Sequence, residues 1–223
     1  MNNYFERPLF IFEMANNHMG SVEHGLNMIR AFAEIAEPFG FQFAFKFQFR
    51  DLDTFIHPDY TTRMDIKAVK RFSETRLSRD QFQQLKDCVG ENGFISICTP
   101  FDEPSVDLIE DMGFDIIKIA SCSFTDWPLL ERIVQSKKPI IASTAGATLD
   151  EIDKVVSFFS NREKNFAILH CVGEYPTQID TLNMNQIDLL KRRYPDVPVG
   201  YSTHEEPDNM ESIQIAIAKG ASI

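Results

Sequence analysis

Residues 41–49 read Phe-Gln-Phe-Ala-Phe-Lys-Phe-Gln-Phe, with phenylalanine at every odd position and Gln42, Ala44, Lys46 and Gln48 between them. A period of two is the signature of a strand. One face is wholly aromatic and suits packing under helices. The other carries an amine and two amides that an apolar layer could not satisfy. A closed parallel (β/α) barrel resolves the conflict: the phenylalanines point out beneath the helices, and Lys46 and Gln48 point into the mouth, where such folds do their chemistry. An edge strand with one solvated face is the plainer alternative.

The rest of the chain favours the barrel. Going outward from this strand, Leu9 to Ala15 reads as a buried strand before Asn-Asn-His-Met-Gly-Ser and a helical pattern of Leu26, Met28, Ile29, Phe32 and Ile35. After the Phe-rich strand, Arg50 to about Leu77 is irregular and long enough to serve as a lid. Ser78 then opens a helix over Arg79 to Glu91. Strand and helix alternate from there: Phe94 to Thr99 and Glu103 to Met112, Ile116 to Ala120 and Pro128 to Gln135, Pro139 to Ser143 and Leu149 to Phe159. Phe166 to Val172 and Met184 to Arg193 follow, then Val197 to Ser202 and Asn209 to Lys219. Seven β/α units predict a (β/α)8 TIM barrel that stops at the start of an eighth strand, Gly220-Ala-Ser-Ile. A doubly wound open sheet is the competing architecture, but no Gly-x-Gly-x-x-Gly follows the first strand.

Composition narrows the partners. The 223 residues fit one large domain, and 22 basic against 33 acidic side chains leave a net charge of -11. That balance argues against nucleic acid or an anionic membrane, so any bound anion must meet a local basic pocket. Cys88, Cys98, Cys122 and Cys171 lack paired metal spacing and read as reduced, buried thiols. With no apolar run of spanning length and no signal-peptide pattern, the expectation is a cytoplasmic protein.

Polar residues recur at the strand ends: Glu13, Lys46 with Gln48, Thr99, Lys118 with Ser121, Ser143, His170, and Ser202 with His204. In a barrel they converge on one mouth. Two lysines and four hydroxyls suit a phosphate ester that also bears a carboxylate, and a carboxylate and imidazoles beside them can move protons or ligate a metal. Taken singly, each has a plainer reading. Serines after strands form turns and caps, His170 between Leu169 and Cys171 has the setting of a core histidine, and Asn17 and His18 can equally open the next helix. Lys118 is harder to explain away, because an isoleucine-flanked lysine on an internal strand is costly unless it has work to do.

Seven segments, in order, resemble the sialic acid synthase family: Phe-Glu-Met-Ala-Asn-Asn-His-Met-Gly-Ser (12–21), Phe-Lys-Phe-Gln (45–48), Cys-Thr-Pro-Phe (98–101), Ile-Lys-Ile-Ala-Ser (117–121), Ala-Ser-Thr-Ala-Gly (142–146), Leu-His-Cys-Val-Gly-Glu-Tyr-Pro-Thr (169–177) and Val-Gly-Tyr-Ser-Thr-His (199–204). The resemblance implies a barrel that condenses phosphoenolpyruvate with an N-acetylated hexosamine, N-acetylmannosamine or a related sugar, to a nine-carbon 2-keto acid with release of phosphate. It implies manganese or magnesium, with His204 as one ligand and a second histidine on the eighth strand, past Ile223. By position, Lys46, Thr99, Lys118, Ser121, Ser143 and Ser202 correspond to phosphoenolpyruvate contacts, and Glu13 and Tyr175 to sugar or proton-transfer residues. Gln48, His170, Asn17 and His18 complete the expected substrate contacts.

Three departures accompany the match. The second metal histidine is absent, which predicts that residues 1–223 alone are inactive. Ser123 replaces the family's usual acid, and Gly173 replaces an asparagine, which points to a different sugar. A C-terminal antifreeze-like domain, which in the family reaches across a homodimer, is also absent. Two further readings stay open: a Schiff-base aldolase with Lys118 as nucleophile, and a non-catalytic binding barrel.

Overall fold

Strand β2 occupies Gln42–Phe49, where the phenylalanine alternation places it. The structure, a computed structural model, describes residues 4–223. It divides into two compact units, one of Phe10–Ile116 and one of the residues up to Leu9 with Ile117–Ile223.

The first unit holds most of β1 (Leu9–Glu13), then α1 (Val22–Ala36), β2 and, further on, β3 (Ile95–Pro100). Strands β2 and β3 run parallel, with Lys46 opposite Ile97 and Gln48 opposite Thr99. Phe45, Phe47 and Phe49 are buried, as the aromatic face requires, whereas Phe41 lies before the strand and is half exposed. Rings from neighbouring elements fill this layer: Phe12 stacks on Phe43 at 5.4 Å, and Phe49 meets Phe82 at 4.6 Å and Phe114 at 5.4 Å. Such pairs add about 0.5–1.5 kcal/mol each beyond their burial. β1 ends at Glu13 rather than Ala15 because the amides of Met14 and Ala15 both turn to the Lys46 carbonyl and Ala15 takes a φ of 40°.

Residues 50–77 differ from the irregular loop expected. They fold into α2 (Leu52–Phe55), a 3-10 turn at Pro58–Tyr60 and α3 (Lys67–Glu74). The ties are local. The Arg50 guanidinium lies 3.7 Å from the Phe101 ring centre and 4.3 Å from that of Phe72, and Arg76 grips Asp53 through two bonds of 3.0 and 2.8 Å. Gly20, at φ 76°, abuts the end of α3, where an added Cβ would come within 2.7 Å of the Glu74 carbonyl. Helix α4 (Arg79–Glu91) begins with a full capping box between Ser78 and Gln81, and α5 (Glu103–Asp111) is capped by Asp102.

The second unit contains most of β4 (Ile116–Ile119), α6 (Trp127–Ile133), β5 (Ile140–Ser143), α7 (Leu149–Ser160) and β6 (Phe166–Cys171). It closes with α8 (Asn185–Arg193), β7 (Val199–Ser202) and α9 (Glu211–Ala218). β4 to β7 pair in parallel in sequence order. Ser222 donates to the Val199 carbonyl at 3.0 Å, Ile223 accepts from Tyr201 at 2.8 Å, and Ser222 accepts from Leu9 at 2.9 Å. These bonds put the last residues beside β7, where the sequence predicts the start of an eighth strand. Gly200 follows from that approach, since a Cβ there would collide with the Ile223 carbonyl and the Leu169 side chain.

All four cysteines are free. Cys88, Cys98 and Cys171 are buried as expected, but Cys122 is exposed, because it sits in the 3-10 turn after β4 (Ser121–Ser123) rather than in a strand. Among the described residues no helix is long and apolar enough to cross a membrane.

Candidate active site

Strand register decides which of the expected residues share a face, because side chains alternate and register partners in a parallel pair point the same way. In the first unit Lys46, Gln48 and Thr99 fall on one face. The Lys46 amine is paired with the carboxylate of Glu13, the last residue of β1. Lys46 is 9% exposed, and a charge so buried needs its counterion. Gln48 accepts a bond from Arg50 at 3.0 Å. The Thr99 hydroxyl is buried and has no hydrogen-bond partner.

In the second unit Lys118 lies opposite Ile141, so Lys118 and Ser143, two residues along β5, share a face. Ser143 is opposite Leu169, and Cys171 opposite Ser202, which carries the same face across β6 and β7. Lys118 is 8% exposed, and burial pulls its amine from 10.5 down to about 8. Ser143, like Thr99, has a buried hydroxyl with no partner among the described residues. Ser121 accepts from the Ala145 amide at 3.2 Å.

His204 is held by its Nδ1, 2.8 Å from the Val172 carbonyl, so that nitrogen carries the proton and Nε2 is left as the acceptor. The Tyr175 ring stands 5.2 Å from it and is largely exposed. The His204 backbone amide donates to Glu205, whose other carboxylate oxygen takes the Tyr201 hydroxyl.

Two expected contacts lie apart from the face that Lys118 and Ser143 share or are held by the protein's own backbone. His170 is opposite Tyr201, not Cys171, and so points away from Lys118 and Ser143. Its Nε2 lies 2.8 Å from the Leu182 carbonyl, its ring stacks on Tyr201, and burial lowers its basicity. His18 is 1% exposed, accepts the Gly20 amide at Nδ1, stands edge-on to Phe82, and is held below its usual pKa first by burial and then by His24. Its bond to Gly20 shapes the turn after β1. Asn17 donates to the Glu13 carbonyl at 3.3 Å and keeps the same turn closed.

The residue that sequence reasoning passed over is Cys171. Its sulfur lies 3.8 and 3.9 Å from the two ring nitrogens of His204 and also touches Ser121 and Ser202. Burial pushes this thiol up, yet His204, Ser121 and Ser202 together hold it below the ordinary value, while contact with the sulfur raises His204. The signal was available: in a strand holding His170 and Cys171, only one of the two can face Lys118. The two departures differ in kind. Ser123 is buried, whereas a Cβ at Gly173 would meet only Ala145, at an ordinary 3.8 Å, so space does not demand the glycine.

A family model described as "NeuB family" matches residues 34–223. The chain belongs to the NeuB family. A solved protein from Chromobacterium violaceum described as spore coat polysaccharide biosynthesis protein E is 60% identical, with a TM-score of 0.94 over 97% of this chain and 64% of that one. The N-acetylneuraminic acid (sialic acid) synthetase of Leptospira borgpetersenii, solved with citrate, is 30% identical with a TM-score of 0.86 over 98% of this chain and 72% of its own. The N,N'-diacetyllegionaminic acid synthase of Campylobacter jejuni is 29% identical over 95% of this chain and 65% of its own length. The chain spans 53% to 65% of the length of its curated relatives. These neighbours are of TIM-barrel type, and the chain shares their parallel β/α class, which residues 41–49 and the repeating units predicted.

Proposed function

We propose that this NeuB-family chain takes part in nonulosonic acid synthesis, condensing phosphoenolpyruvate with the open-chain aldehyde of an N-acetylated hexosamine. The enol carbon bonds to the aldehyde carbon, water adds at C2, the bond from C2 to the phosphate oxygen breaks, and inorganic phosphate leaves with a nine-carbon 2-keto acid. The observation that carries this reading is Ser143: a buried hydroxyl without a partner, on the same face as a buried lysine whose amine is uneasy in its charged form. Both features favour an incoming anion. A phosphate or carboxylate oxygen would accept from Ser143 and stabilise charged Lys118. Ser121 and Ser202 are assigned to the same ligand, and Thr99, in the first unit, offers a second unpartnered hydroxyl.

The Glu13 and Lys46 pair is assigned to charge balance and proton transfer, since a carboxylate beside an ammonium can exchange a proton with the new alkoxide. Gln48 and Tyr175 are assigned to the sugar. His204 fits a metal ligand, because ligating histidines usually donate their other ring nitrogen to a carbonyl or carboxylate, as Nδ1 does here to Val172. Among the described residues no group of three or more His, Cys, Asp or Glu is placed to hold a metal, so His204 is the one donor assigned. A bound manganese or magnesium ion would supply Lewis-acid polarisation of the aldehyde. A homodimer and a cytoplasmic setting belong to the same proposal.

Two measurements test it: calorimetric binding of phosphoenolpyruvate to the chain, and phosphate release across a panel of N-acetylated hexosamines with manganese. Binding that is lost in Lys118→Ala, and release that needs both a sugar and Lys118, are expected. A borohydride-trapped adduct on Lys118 with a keto acid would replace this reading with the Schiff-base aldolase. Binding without any turnover would support the non-catalytic barrel.

A further inference from the structure

The folded segment after β2 encloses a cavity of about 260 Å³ whose lining residues all belong to the first unit. Its composition is divided. Phe49, Phe72, Leu77, Phe82 and Leu108 supply apolar surface, and Arg50, Arg76 and Arg79 supply three guanidinium groups. Asp51 is the one carboxylate among the lining residues, and Asp53 offsets Arg76 from outside. A chain of net charge -11 therefore concentrates positive charge at this place. Lys46, Glu13 and Thr99 do not line it.

Arg50 is pre-set for recognition. Its guanidinium is clamped between the rings of Phe72 and Phe101 at 4.3 and 3.7 Å, and it donates to Gln48 at 3.0 Å. Stacking fixes the plane of a guanidinium, so little side-chain entropy remains to be lost when it meets a planar or tetrahedral oxyanion. Phe49 and Leu77 are buried, whereas Arg76 and Arg79 are exposed, so apolar surface lies deep and charge lies at the mouth. A neutral sugar would leave both the aromatic surface and the guanidinium groups poorly used. The volume suits a small molecule better than a peptide or nucleic acid strand.

We propose that this cavity binds a small organic anion, with an apolar or aromatic body against Phe49, Phe82 and Leu108 and a phosphate or carboxylate head at Arg50 and Arg79. Gln48, a proposed sugar contact, also lines the cavity and accepts from Arg50. An anionic end of the acceptor and a separate effector present the same chemistry here. Binding itself stands on the cavity alone, and only its link to the reaction rests on the proposed function.

The test is calorimetry on the whole chain with phenyl phosphate, compared with inorganic phosphate and benzyl alcohol. Phenyl phosphate is expected to bind at least about tenfold more tightly than either fragment, since it engages both halves of the cavity. Arg79→Gln should weaken it roughly fivefold or more, as the loss of one charged donor implies. Leu108→Trp, at a half-exposed position, should fill the cavity and abolish binding with the circular dichroism and urea midpoint unchanged. Displacement by N-acetylmannosamine 6-phosphate, but not by the neutral N-acetylmannosamine, would assign the site to an acceptor's anionic end, and no displacement by either would assign it to a separate anion. Both keep the proposal. Equal affinity for benzyl alcohol, no detectable binding of phenyl phosphate, or binding that survives Leu108→Trp but is lost in Lys118→Met overturns it. Absence of turnover in the phosphate-release assay would count against the proposed reaction and leave this calorimetric result standing.

Discussion

Replacing Lys118 with methionine should make the protein more stable while removing its affinity for phosphoenolpyruvate. Methionine nearly matches lysine in length and can lie on the same face as Ile141 without a charge. The magnitude follows from the depressed amine. A fall from 10.5 to about 8, at 1.36 kcal/mol per pH unit, means that folding with Lys118 protonated costs about 3 kcal/mol at pH 7. Because the folded pKa lies below the unfolded one, the unfolded chain binds more protons between them, so this cost shrinks as pH rises through that window. The advantage of Lys118→Met in urea denaturation should therefore be about 3 kcal/mol at pH 7, about 2 at pH 9 and about 1 at pH 10. Groups shared by the two proteins cancel in the difference. Saturating phosphoenolpyruvate should raise the urea midpoint of the parent and leave the variant unmoved. A variant no more stable than the parent at pH 7, or a difference flat with pH, would refute the reasoning, because Lys118 would then keep its ordinary basicity, solvated or paired with an anion within the fold.

Ser143→Ala removes a buried hydroxyl that forms no bond in the free protein, so stability should change by less than about 1 kcal/mol in either direction. Calorimetry should nonetheless show phosphoenolpyruvate binding weakened about tenfold, and equal binding by the two proteins would remove Ser143 from the site. Gly20→Ala places a Cβ at φ 76°, within 2.7 Å of the Glu74 carbonyl, and should cost about 1–3 kcal/mol in thermal or urea unfolding. A neutral result would mean that the turn after β1 can move away from α3.

Much of the fold was legible along the chain because its causes are local. Alternation at 41–49 makes a strand of any chain that can bury phenylalanine on one side, and Ser78 with Gln81 starts a helix through bonds spanning only three residues. Lys118 among isoleucines announced a buried charge for the same reason. What sequence left open was the facing of each strand and the company each side chain keeps. His170 and Cys171 are neighbours whose roles are opposite, and only the register of β6 against β7 shows that Cys171 meets Ser202 and His204 while His170 turns to Leu182. The segment 50–77 reads as loop because its helices are too short for a periodic signal, and it is held by Arg50 between Phe72 and Phe101, partners up to 51 positions away. The sequence by itself determined the repeating β/α units and the residue types at the strand ends, since those follow from periods of two and of 3.6. Tertiary structure alone decided that Ser143 and Thr99 have no partner among the described residues, that burial pulls the Lys118 amine down to about 8, and that three arginines gather at one cavity, because each depends on what distant segments bring together.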